Sequence, residues 1–535
     1  MRRFALPAAI LVVLACAASA AASPVFVLSG HGWGHGVGMS QYGALGRALN
    51  GDKYKSILRF YYDGTQVRGG GQSKIRVLLT EGRSAVTLRS SGSFRVGARK
   101  LAPFTDYRVV PVKGGKVRVI GKGKFASPAT VRPGSGFLRL DGLRYRGDMK
   151  IFNHGGGLDV VNVLSLQGYL FSVVPREMPA DWPLEALKAQ AVAARSYAVR
   201  AARASWFDIY DDTRDQVYGG LDYSTGEEPR TTAAVKATAG KVVRYKGSIA
   251  STYFSSSNGG RSAASADTWG GSLPYLVSKP DRFDLNAHNP NRSWKTVLLA
   301  HALQKRLGAG HRPGDALVTL RASGRVDRIR LQRGSWSQTF PSSGLGPEYF
   351  RTVLGLRSSR FQLGVLNVKP ARRMSVCRER VRLNLVVRHV NAVTLQRRPT
   401  SGGAWAEIPV TKVDSEHYYA VNRLCRGTSY RLHSPVATTK PVDVKVAPKI
   451  VFAATQPAHN GLRGTVRPLS LAGRTVRVDR LGSSGWIRNV GTAVVESDGT
   501  WHARFNAVAG TYRARIAPPP STGLVPGVSP VLNFG

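Results

Sequence analysis

Glu177 is the side chain best placed to do chemistry in this sequence. It lies in the segment VVPREMPADWP, residues 173–183, which contains three prolines. Each proline fixes its own φ angle and restricts the residue before it, so we predict that Glu177 is held on a stiff turn. A carboxylic acid fixed in this way can protonate the leaving oxygen of a glycosidic bond near neutral pH, provided that its surroundings raise its pKa.

The turn is expected to join a strand to a helix. Residues 158–174 (LDVVNVLSLQGYLFSVV) are apolar and strand-like. The helix is predicted from about residue 182 to 205, with Asp181 as its N-cap and Pro183 in its first turn. Its buried stripe is predicted from residues at helical spacing, which are Leu184, Leu187, Ala191, Ala194 and Ala198.

Two cations on this helix are candidate binding residues. Lys188 and Arg195 are seven residues apart, so they share one side, which borders the apolar stripe. One interpretation is a basic wall beside Glu177. The alternative is a pair of long side chains that lie along an ordinary surface helix and keep their charges in water.

A second carboxylate is harder to identify. Glycoside hydrolases usually need one as base or nucleophile. Asp181 is better used as a helix cap, and nothing in the sequence fixes Asp212 or Asp215 near Glu177. The pattern therefore favours a reaction that one carboxylic acid can carry out alone.

A glycine-rich segment near the start of the chain is the second candidate element. In residues 29–44 (SGHGWGHGVGMSQYGA), glycines alternate with bulky or polar residues, which allows positive φ angles and close approach of a ligand. We predict a loop that lines a substrate cleft; the alternative is a structural turn. The substrate-binding candidates on this loop are Trp33, His35, Ser40 and Gln41. The two histidines of the loop have no evident third ligand, and the loop lacks the Lys-Ser/Thr ending of a phosphate loop.

Several motifs together resemble the stage II sporulation protein D / amidase-enhancer family (SpoIID/LytB). The main one is PREMPADWPLEALKAQAVAARSYAV, residues 175–199. Others follow in the order of the family: DDTRDQVYGG, YFSSSNGG, DTW, PYL and GLRSSRF, at residues 211–220, 253–260, 267–269, 274–276 and 355–361. The resemblance covers about residues 25–367. It implies an α+β domain, mixed and β-rich, over residues 24–368.

The order of the motifs differs from that of similar family members. There the glycine motif follows the closing strand, whereas here it comes first, in residues 25–67, so the chain resembles a circular permutation. Permutation is tolerated where chain ends lie close together. We therefore expect residues 25–67 to pack against the segment ending near Leu366, and Glu177 and His35 to line one cleft.

The resemblance implies a function on peptidoglycan. In a lytic transglycosylase, the 6-hydroxyl of N-acetylmuramic acid attacks its own anomeric carbon and leaves a 1,6-anhydro end, so one glutamate can serve as acid and then as base. The resemblance gives this role to Glu177, with a preference for strands without stem peptides. It gives sugar binding to Lys188 and Arg195, and its downstream motifs add Gln216, Tyr218 and Ser256 as substrate-binding candidates.

Two alternatives remain at this stage: a non-catalytic wall-binding protein that enhances a partner amidase, and a structural envelope protein. Some relatives bind zinc through Cys and His soon after the helix. No Cys or His lies between His154 and His288 here, so we predict no metal and no cofactor.

The start of the chain indicates secretion. Residues 1–23 resemble a signal peptide, with Arg2 and Arg3, an apolar run and a small-residue cleavage site. Cys16 lies in an imperfect lipoprotein box, so a membrane tether is expected only if it is acylated. The predicted location is therefore secreted, in the cell envelope.

The remaining sequence is mostly β-rich. Residues 68–145 alternate apolar and polar residues between glycine turns, which predicts a β-rich subdomain. Near residue 370 the composition shifts, and we predict two all-β immunoglobulin- or fibronectin-like sandwich modules, residues 369–448 and 449–535. Cys377 and Cys425 are an even pair within the first module of a secreted chain, which predicts a disulfide.

The net charge of +46, from 77 basic and 31 acidic residues, favours anionic partners. In the envelope these would be peptidoglycan glycan strands and anionic wall polymers, with a possible amidase partner. No helix-turn-helix, RNP or zinc-finger pattern supports nucleic acid binding.

Overall fold

The computed structural model describes residues 23–70, 74–201, 203–221, 227–342, 346–452 and 461–534. The predicted signal peptide up to residue 22, with Cys16, lies outside them. None of the described helices is long and apolar enough to cross a membrane. The α-helices in these ranges are α1 Gln41–Leu49, α2 Tyr54–Tyr61, α3 Leu166–Glu177, α4 Leu184–Arg200, α5 Pro229–Ala237, α6 Ser265–Trp269, α7 Ala300–Leu307 and α8 Glu348–Leu354.

A six-stranded sheet, here called the central sheet, connects the two ends of the part of the chain before residue 369, here called the N-terminal body. Its second strand pairs antiparallel with the neighbours on both sides, and Val25 lies opposite Leu366 while Gly30 lies opposite Phe361. Residues at the start of the chain therefore pack on the segment ending near Leu366, as expected; the circular permutation itself stays a prediction. In spatial order the strands are Trp294–Leu299, Val25–Gly30, Phe361–Pro370, Arg380–Arg388, His417–Arg423 and Thr411–Lys412.

The third strand of the central sheet continues into the first C-terminal module. Its residues 361–366 pair with the N-terminal strand, and its residues 365–370 pair with Arg380–Arg388. The boundary expected after residue 368 therefore falls inside a strand. Arg388 reinforces the junction, because Nη1 contacts Asp315 at 2.7 Å and Nε contacts Glu416 at 2.7 Å. The first module is thus joined to the N-terminal body by a shared sheet.

Two sheets account for most of the predicted β-rich region and its continuation. The seven-stranded sheet contains Ile209–Tyr210, Lys74–Arg83, Gly157–Ser165, Asp148–His154, Ala129–Pro133, Phe94–Val96 and Arg99–Leu101. The six-stranded sheet contains Gly123–Phe125, Lys116–Val119, Tyr107–Val112, Val86–Ser90, Leu138–Leu140 and Leu143–Tyr145. Helices α3 and α4 pack on these sheets in one buried core.

The strand predicted over residues 158–174 is wrong in its second half. A strand spans Gly157–Ser165, and α3 begins directly after it. Ser165 caps the helix, because its side chain accepts a hydrogen bond from Gly168 N at 3.0 Å. An apolar run that is buried on all sides gives no period with which to tell a strand from a helix.

Small sheets complete the N-terminal body. A two-stranded parallel pair, Met39–Ser40 and Phe254–Ser255, joins the glycine-rich loop to the 253–260 motif. The others are Ser248–Ile249 with Lys241–Tyr245 and Gln66–Gly69, and Asp315–Leu320 with Val326–Arg333 and Trp336–Phe340.

The described C-terminal residues form strands with two short 3-10 turns. The first module adds the sheet Met374–Val376, Val442–Ala447, Thr428–His433, Thr394–Pro399 and Ala406–Ile408. The second has the sheet Lys449–Phe452, Leu462–Arg467 and Thr500–Ala503, and a sheet of Gly485–Val494, Thr475–Gly482, Gly510–Ile516, Gly527–Val528 and Leu532–Phe534. One apolar core runs through both modules. Their immunoglobulin- or fibronectin-like topology stays a prediction.

The predicted disulfide between Cys377 and Cys425 is present, with a sequence separation of 48 residues. Replacing both cysteines with alanine should lower the free energy of unfolding by about 2 to 5 kcal/mol, because the bridge restricts the unfolded chain. Urea unfolding of the whole chain, with and without reductant, measures this. The alanine variant should be insensitive to reductant. Identical midpoints for the oxidised and reduced parent protein would contradict the prediction.

Candidate active site

Glu177 is the last residue of α3, so the prediction that it lies on a turn is wrong. The helix ends there because Met178 precedes a proline and adopts an extended conformation, with φ −143° and ψ 131°. The prolines therefore do fix the position of Glu177, by stopping a helix. A carboxylate at a helix C-terminus meets the negative end of the macrodipole, which disfavours its ionised form.

Two groups hold the Glu177 carboxyl group and its backbone. The N–H of Val217 donates to Oε1 at 3.1 Å. Gln41, from α1, donates from Nε2 to the main-chain oxygen of Glu177 at 2.7 Å. Burial raises the pKa of Glu177 to about 7, although the hydrogen bonds from Val217 and from the Gln41 side chain act in the opposite direction. The residue as a whole is partly exposed, although its carboxyl group is largely buried.

Because the pKa of Glu177 is raised, the free energy of unfolding should depend on pH. Its value of about 7 in the folded protein exceeds the ordinary value of 4.5, so folding favours the protonated form. The stabilising contribution is complete below about pH 4.5 and is lost as the pH rises through 7. Glu177→Gln, which is neutral throughout, should therefore be more stable than the parent above pH 7, by at most about 3 kcal/mol.

Urea unfolding of the two proteins at a series of pH values checks this prediction. The difference should disappear near pH 4. The same substitution at the exposed Glu407 is the control, and it should change the free energy of unfolding by less than about 0.5 kcal/mol at every pH. A difference between Glu177→Gln and the parent that does not vary with pH would contradict the raised pKa.

Helix α4 is shorter than predicted. Pro183 occupies the N-cap position without a side-chain hydrogen bond, and the helix spans Leu184–Arg200. Asp181 is therefore not the cap, because the extended conformation of Pro183 starts the helix two residues later. Leu184 is 41% exposed and does not belong to the buried stripe, whereas the other four predicted members are buried.

The predicted basic wall is not formed. Arg195 is only 2% exposed, and its guanidinium donates to the main-chain oxygens of Lys241 and Val235 at 3.1 and 3.3 Å. Burial lowers its pKa to about 10. Lys188 donates to Glu185 Oε1 at 2.8 Å. Arg195 thus fastens α5 and a strand to α4, and this geometry does not support a sugar contact for it.

The glycine-rich loop uses two of its predicted binding residues internally. Ser40 is fully buried; its Oγ caps α1 by accepting from Gly43 N at 3.0 Å and donates to Asp284 Oδ1 at 2.5 Å. His35 Nδ1 accepts from Val37 N at 3.0 Å, and the ring also hydrogen-bonds to the backbone of Phe254. Both side chains hold the loop in place.

His35 is neutral, and Trp33 is the loop residue that faces outward. Burial and the nearby cations of Arg351 and Arg325 lower the pKa of His35 to about 3. Trp33 is 52% exposed, and the guanidinium of Arg357 lies 5.4 Å from its ring centroid. Trp33 therefore remains available for stacking on a ligand.

The residues predicted from the downstream motifs fix the turn that holds Glu177. Gln216 is fully buried and accepts from the hydroxyl of Tyr169 at 3.0 Å. Tyr218 is also buried and donates to Asn162 Oδ1 at 2.7 Å. These contacts fix the backbone on both sides of Val217. The carbonyl of Ser256, in turn, accepts from the N–H of Tyr42 at 3.0 Å and holds the start of α1.

Comparison with known proteins identifies this part of the chain. Residues 154–245, which include α3, α4 and the turn at residues 211–218, match the family described as SpoIID, stage II sporulation protein. The chain contains a SpoIID domain. This assignment agrees with the resemblance of the motifs in the sequence.

Curated relatives are similar over longer stretches of the chain, but each match covers only part of either protein. A protein of Bacillus subtilis (strain 168) named amidase enhancer is 42% identical over 137 residues, covering 26% of this chain and 18% of that protein. Stage II sporulation protein D of the same strain is 32% identical over 195 residues, covering 31% and 56%. Its counterpart in Bacillus amyloliquefaciens is 31% identical over 221 residues, covering 38% and 61%. The chain thus spans less than two thirds of these relatives.

Among solved structures, a segment of two fibronectin type III domains from chicken tenascin covers 31% of this chain and 98% of its own. The sequence identity is 17% and the TM-score is 0.20. This score is too low to support an argument about the fold of the C-terminal modules.

Three aspartates of the SpoIID domain are candidates for a second carboxylate. Asp215 accepts from the hydroxyl of Tyr197 at 2.7 Å and pairs with Arg203. Asp212 pairs with Arg214 at 2.9 Å. Asp211, which the sequence did not single out, has its pKa raised to about 7 by burial and by Asp212. In the described part of the chain, none of the three hydrogen-bonds to Glu177.

Sequence reasoning missed two groups of packed aromatic rings in the N-terminal part of the chain. Tyr42 and Trp182 have ring centroids 5.0 Å apart. Tyr253 lies 5.7 Å from Tyr197 and 4.5 Å from Trp269. The sequence could have indicated them, because these aromatic residues lie within or beside the quoted motifs. In the described ranges no group of three His, Cys, Asp or Glu residues could hold a metal ion.

Proposed function

We propose that this protein is a lytic transglycosylase that cleaves peptidoglycan glycan strands between N-acetylmuramic acid and N-acetylglucosamine and leaves 1,6-anhydro ends. The observation that carries the proposal is the Glu177 carboxyl group, whose pKa is raised to about 7 by burial. Such a group holds its proton near neutral pH and can give it to a glycosidic oxygen.

The reaction needs one carboxylic acid used twice. Glu177 transfers its proton to the glycosidic oxygen as the bond from that oxygen to C1 breaks, which leaves positive charge on C1 of the muramic acid. The Glu177 carboxylate then accepts the proton of the 6-hydroxyl group, while the oxygen of that hydroxyl group bonds to C1. The N–H of Val217, 3.1 Å from Oε1, stabilises the carboxylate between the two steps. No water is consumed, and no second carboxylate is required.

The setting of the reaction is the cell envelope. The names of the relatives, stage II sporulation protein D and amidase enhancer, support a role related to the cell wall. We propose that the protein is secreted and that its charge of +46 favours anionic wall polymers as well as the strands themselves. Strands without stem peptides are the proposed substrate, because the resemblance of the motifs implies that preference.

A second candidate function is enhancement of an amidase without catalysis. The observation in its favour is the name of the Bacillus subtilis relative, which is 42% identical over 137 residues. In that case the region around Glu177 would bind glycan without cleaving it, and an N-acetylmuramoyl-L-alanine amidase would be the partner.

Mass spectrometry of peptide-stripped glycan strands after incubation with the protein tests both functions. Ends of 1,6-anhydro-N-acetylmuramic acid support the transglycosylase. Reducing ends would mean hydrolysis and would direct attention to Asp211. Strands that remain intact, together with faster release of stem peptides when an amidase is added, would favour the enhancer.

A further inference from the structure

An aromatic strip leads away from the candidate acid. Val217, which donates to Glu177, is two residues after Asp215, and Asp215 accepts from the hydroxyl of Tyr197 at 2.7 Å. The ring of Tyr197 is followed by that of Tyr253 and then by that of Trp269, with centroid distances of 5.7 and 4.5 Å. The strip therefore begins at the turn beside Glu177 and ends at a tryptophan.

The far end of the strip is accessible and firmly supported. Trp269 is 45% exposed, although it packs against Tyr253 and lies 5.1 Å from the ring of His35. The main-chain oxygen of Tyr253 accepts hydrogen bonds from Met39 N at 3.1 Å and from the hydroxyl of Tyr62 at 2.9 Å. A tryptophan that is fixed on one side and open on the other presents a flat apolar surface, on which the C–H face of a sugar ring can stack.

A cavity of about 530 Å³ opens beside Trp269. Helices α6 and α8 form its two sides, and hydroxyl groups and two aromatic rings line it together with charged side chains. Its lining includes Thr268, Trp269, Arg321, Glu348, Tyr349 and Thr352. An aromatic wall with a few convergent polar groups is the usual composition of a small-ligand site.

The charges in this cavity are already paired. Arg321 contacts Asp327 Oδ1 at 2.7 Å and Asp267 at 3.8 Å. Glu348 forms an ion pair with Arg351. A ligand carboxylate would therefore find no unpaired cation among these side chains, and it would have to displace Asp327 or Asp267 from Arg321. Neutral hydroxyl and acetamide groups can instead bind to the remaining donors and acceptors.

We propose that Trp269 and the cavity beside it form a distal subsite for an uncharged N-acetylhexosamine unit of the glycan strand. The subsite rests on the proposed function, because its ligand is the glycan strand proposed as the substrate of Glu177. It lies outside residues 154–245, which match the SpoIID family. In this arrangement recognition at the cavity depends on stacking rather than on charge.

The experiment measures binding of hexa-N-acetylchitohexaose to the whole chain carrying Glu177→Gln, so that cleavage does not interfere. Adding Trp269→Ala should weaken binding about tenfold, as is common for a tryptophan at the centre of an interface. Trp269→Phe should retain most of the affinity. Because the contact is uncharged, the ratio of the affinities should be the same at low and high salt.

Two further variants separate recognition from folding. Thr352→Trp, on the exposed side of α8, fills the cavity without removing Trp269, and it should weaken binding as well. Trp405→Ala removes a tryptophan of the first C-terminal module and should leave the affinity unchanged. Equal affinity with and without Trp269, no binding by any variant, or a ratio that collapses at high salt would overturn the proposal.

Failure of the subsite and failure of the proposed function give different results. If the parent protein leaves 1,6-anhydro ends but binding does not depend on Trp269, only the subsite is wrong. If strands remain intact but the binding pattern holds, the protein binds glycan without cleaving it. The subsite then stands and the transglycosylase is wrong.

Discussion

Glu177→Gln is expected to reduce cleavage of peptide-stripped glycan strands by a factor of about a thousand or more, while the protein remains folded. Glutamine has nearly the same shape as glutamic acid and can keep the contact with Val217, but it cannot donate a proton to the glycosidic oxygen. General acid catalysis typically contributes factors of about 10² to 10⁴, and here the same group also serves as the base. Counting 1,6-anhydro ends by mass spectrometry over time measures the effect.

Asp211→Asn and Asp212→Asn are the informative controls for this experiment. A hydrolase needs a second carboxylate, so if Asp211 or Asp212 were that group its change would be as damaging as the loss of Glu177. In the proposed mechanism both variants should keep activity within about tenfold of the parent, because neither aspartate takes part in a proton transfer. Full activity of Glu177→Gln would contradict the mechanism outright, whatever the two controls do.

The candidate acid could be identified from sequence because its constraint is local. Prolines act on their own φ angle and on the residue before them, so the effect on Glu177 is visible within a few positions. The element that carries it could not be identified in the same way. Residues 166–174 are mostly apolar and mostly buried, and the choice of helix is fixed by the cap at Ser165 and by burial, which no periodicity records.

The roles of the polar candidates depend on distant parts of the chain. Helical spacing gave Lys188 and Arg195 a common side, but it does not reveal what covers that side. In the structure, α5 and the strand after it cover Arg195 and supply carbonyl oxygens to its guanidinium. Likewise, residue type alone does not distinguish a sugar ligand from a cap, and Ser40 is used as a cap.

The boundary predicted between the N-terminal body and the first C-terminal module also depends on distant parts of the chain. The composition does shift near residue 370, and the residues beyond it do form strands. The strand Phe361–Pro370 nevertheless continues across the shift, since its two halves pair with different neighbours. Pairing between residues that are hundreds of positions apart leaves little trace in a single sequence, so a boundary drawn from composition falls inside a continuous sheet.

The N-terminal segment gives the second large effect. A chain that starts at residue 68, and so lacks residues 25–67, is expected to lose the cooperative fold of the N-terminal body. The strand Val25–Gly30 lies between two neighbours of the central sheet, and its removal takes the pairing partner from Trp294–Leu299 and from residues 361–366. It also removes α1, whose Gln41 holds the backbone of Glu177 at 2.7 Å. Circular dichroism during heating, compared with a chain that starts at residue 24, measures this loss.

Two single substitutions in the same sheet should differ in their cost to the free energy of unfolding. Phe26 is fully buried, and Phe26→Ala should lower the free energy of unfolding by about 3 to 5 kcal/mol, because it leaves a cavity in the core. Val297 lies on the neighbouring strand, opposite Val27, but it is 43% exposed, so Val297→Ala should cost less than about 1 kcal/mol. If the chain from residue 68 melted at the same temperature as the longer chain, the N-terminal strand would be an addition to a body that folds without it. A cooperative loss would mean that the segment completes the sheet that joins the N-terminal body to the first C-terminal module, which is the result that a circularly permuted order predicts.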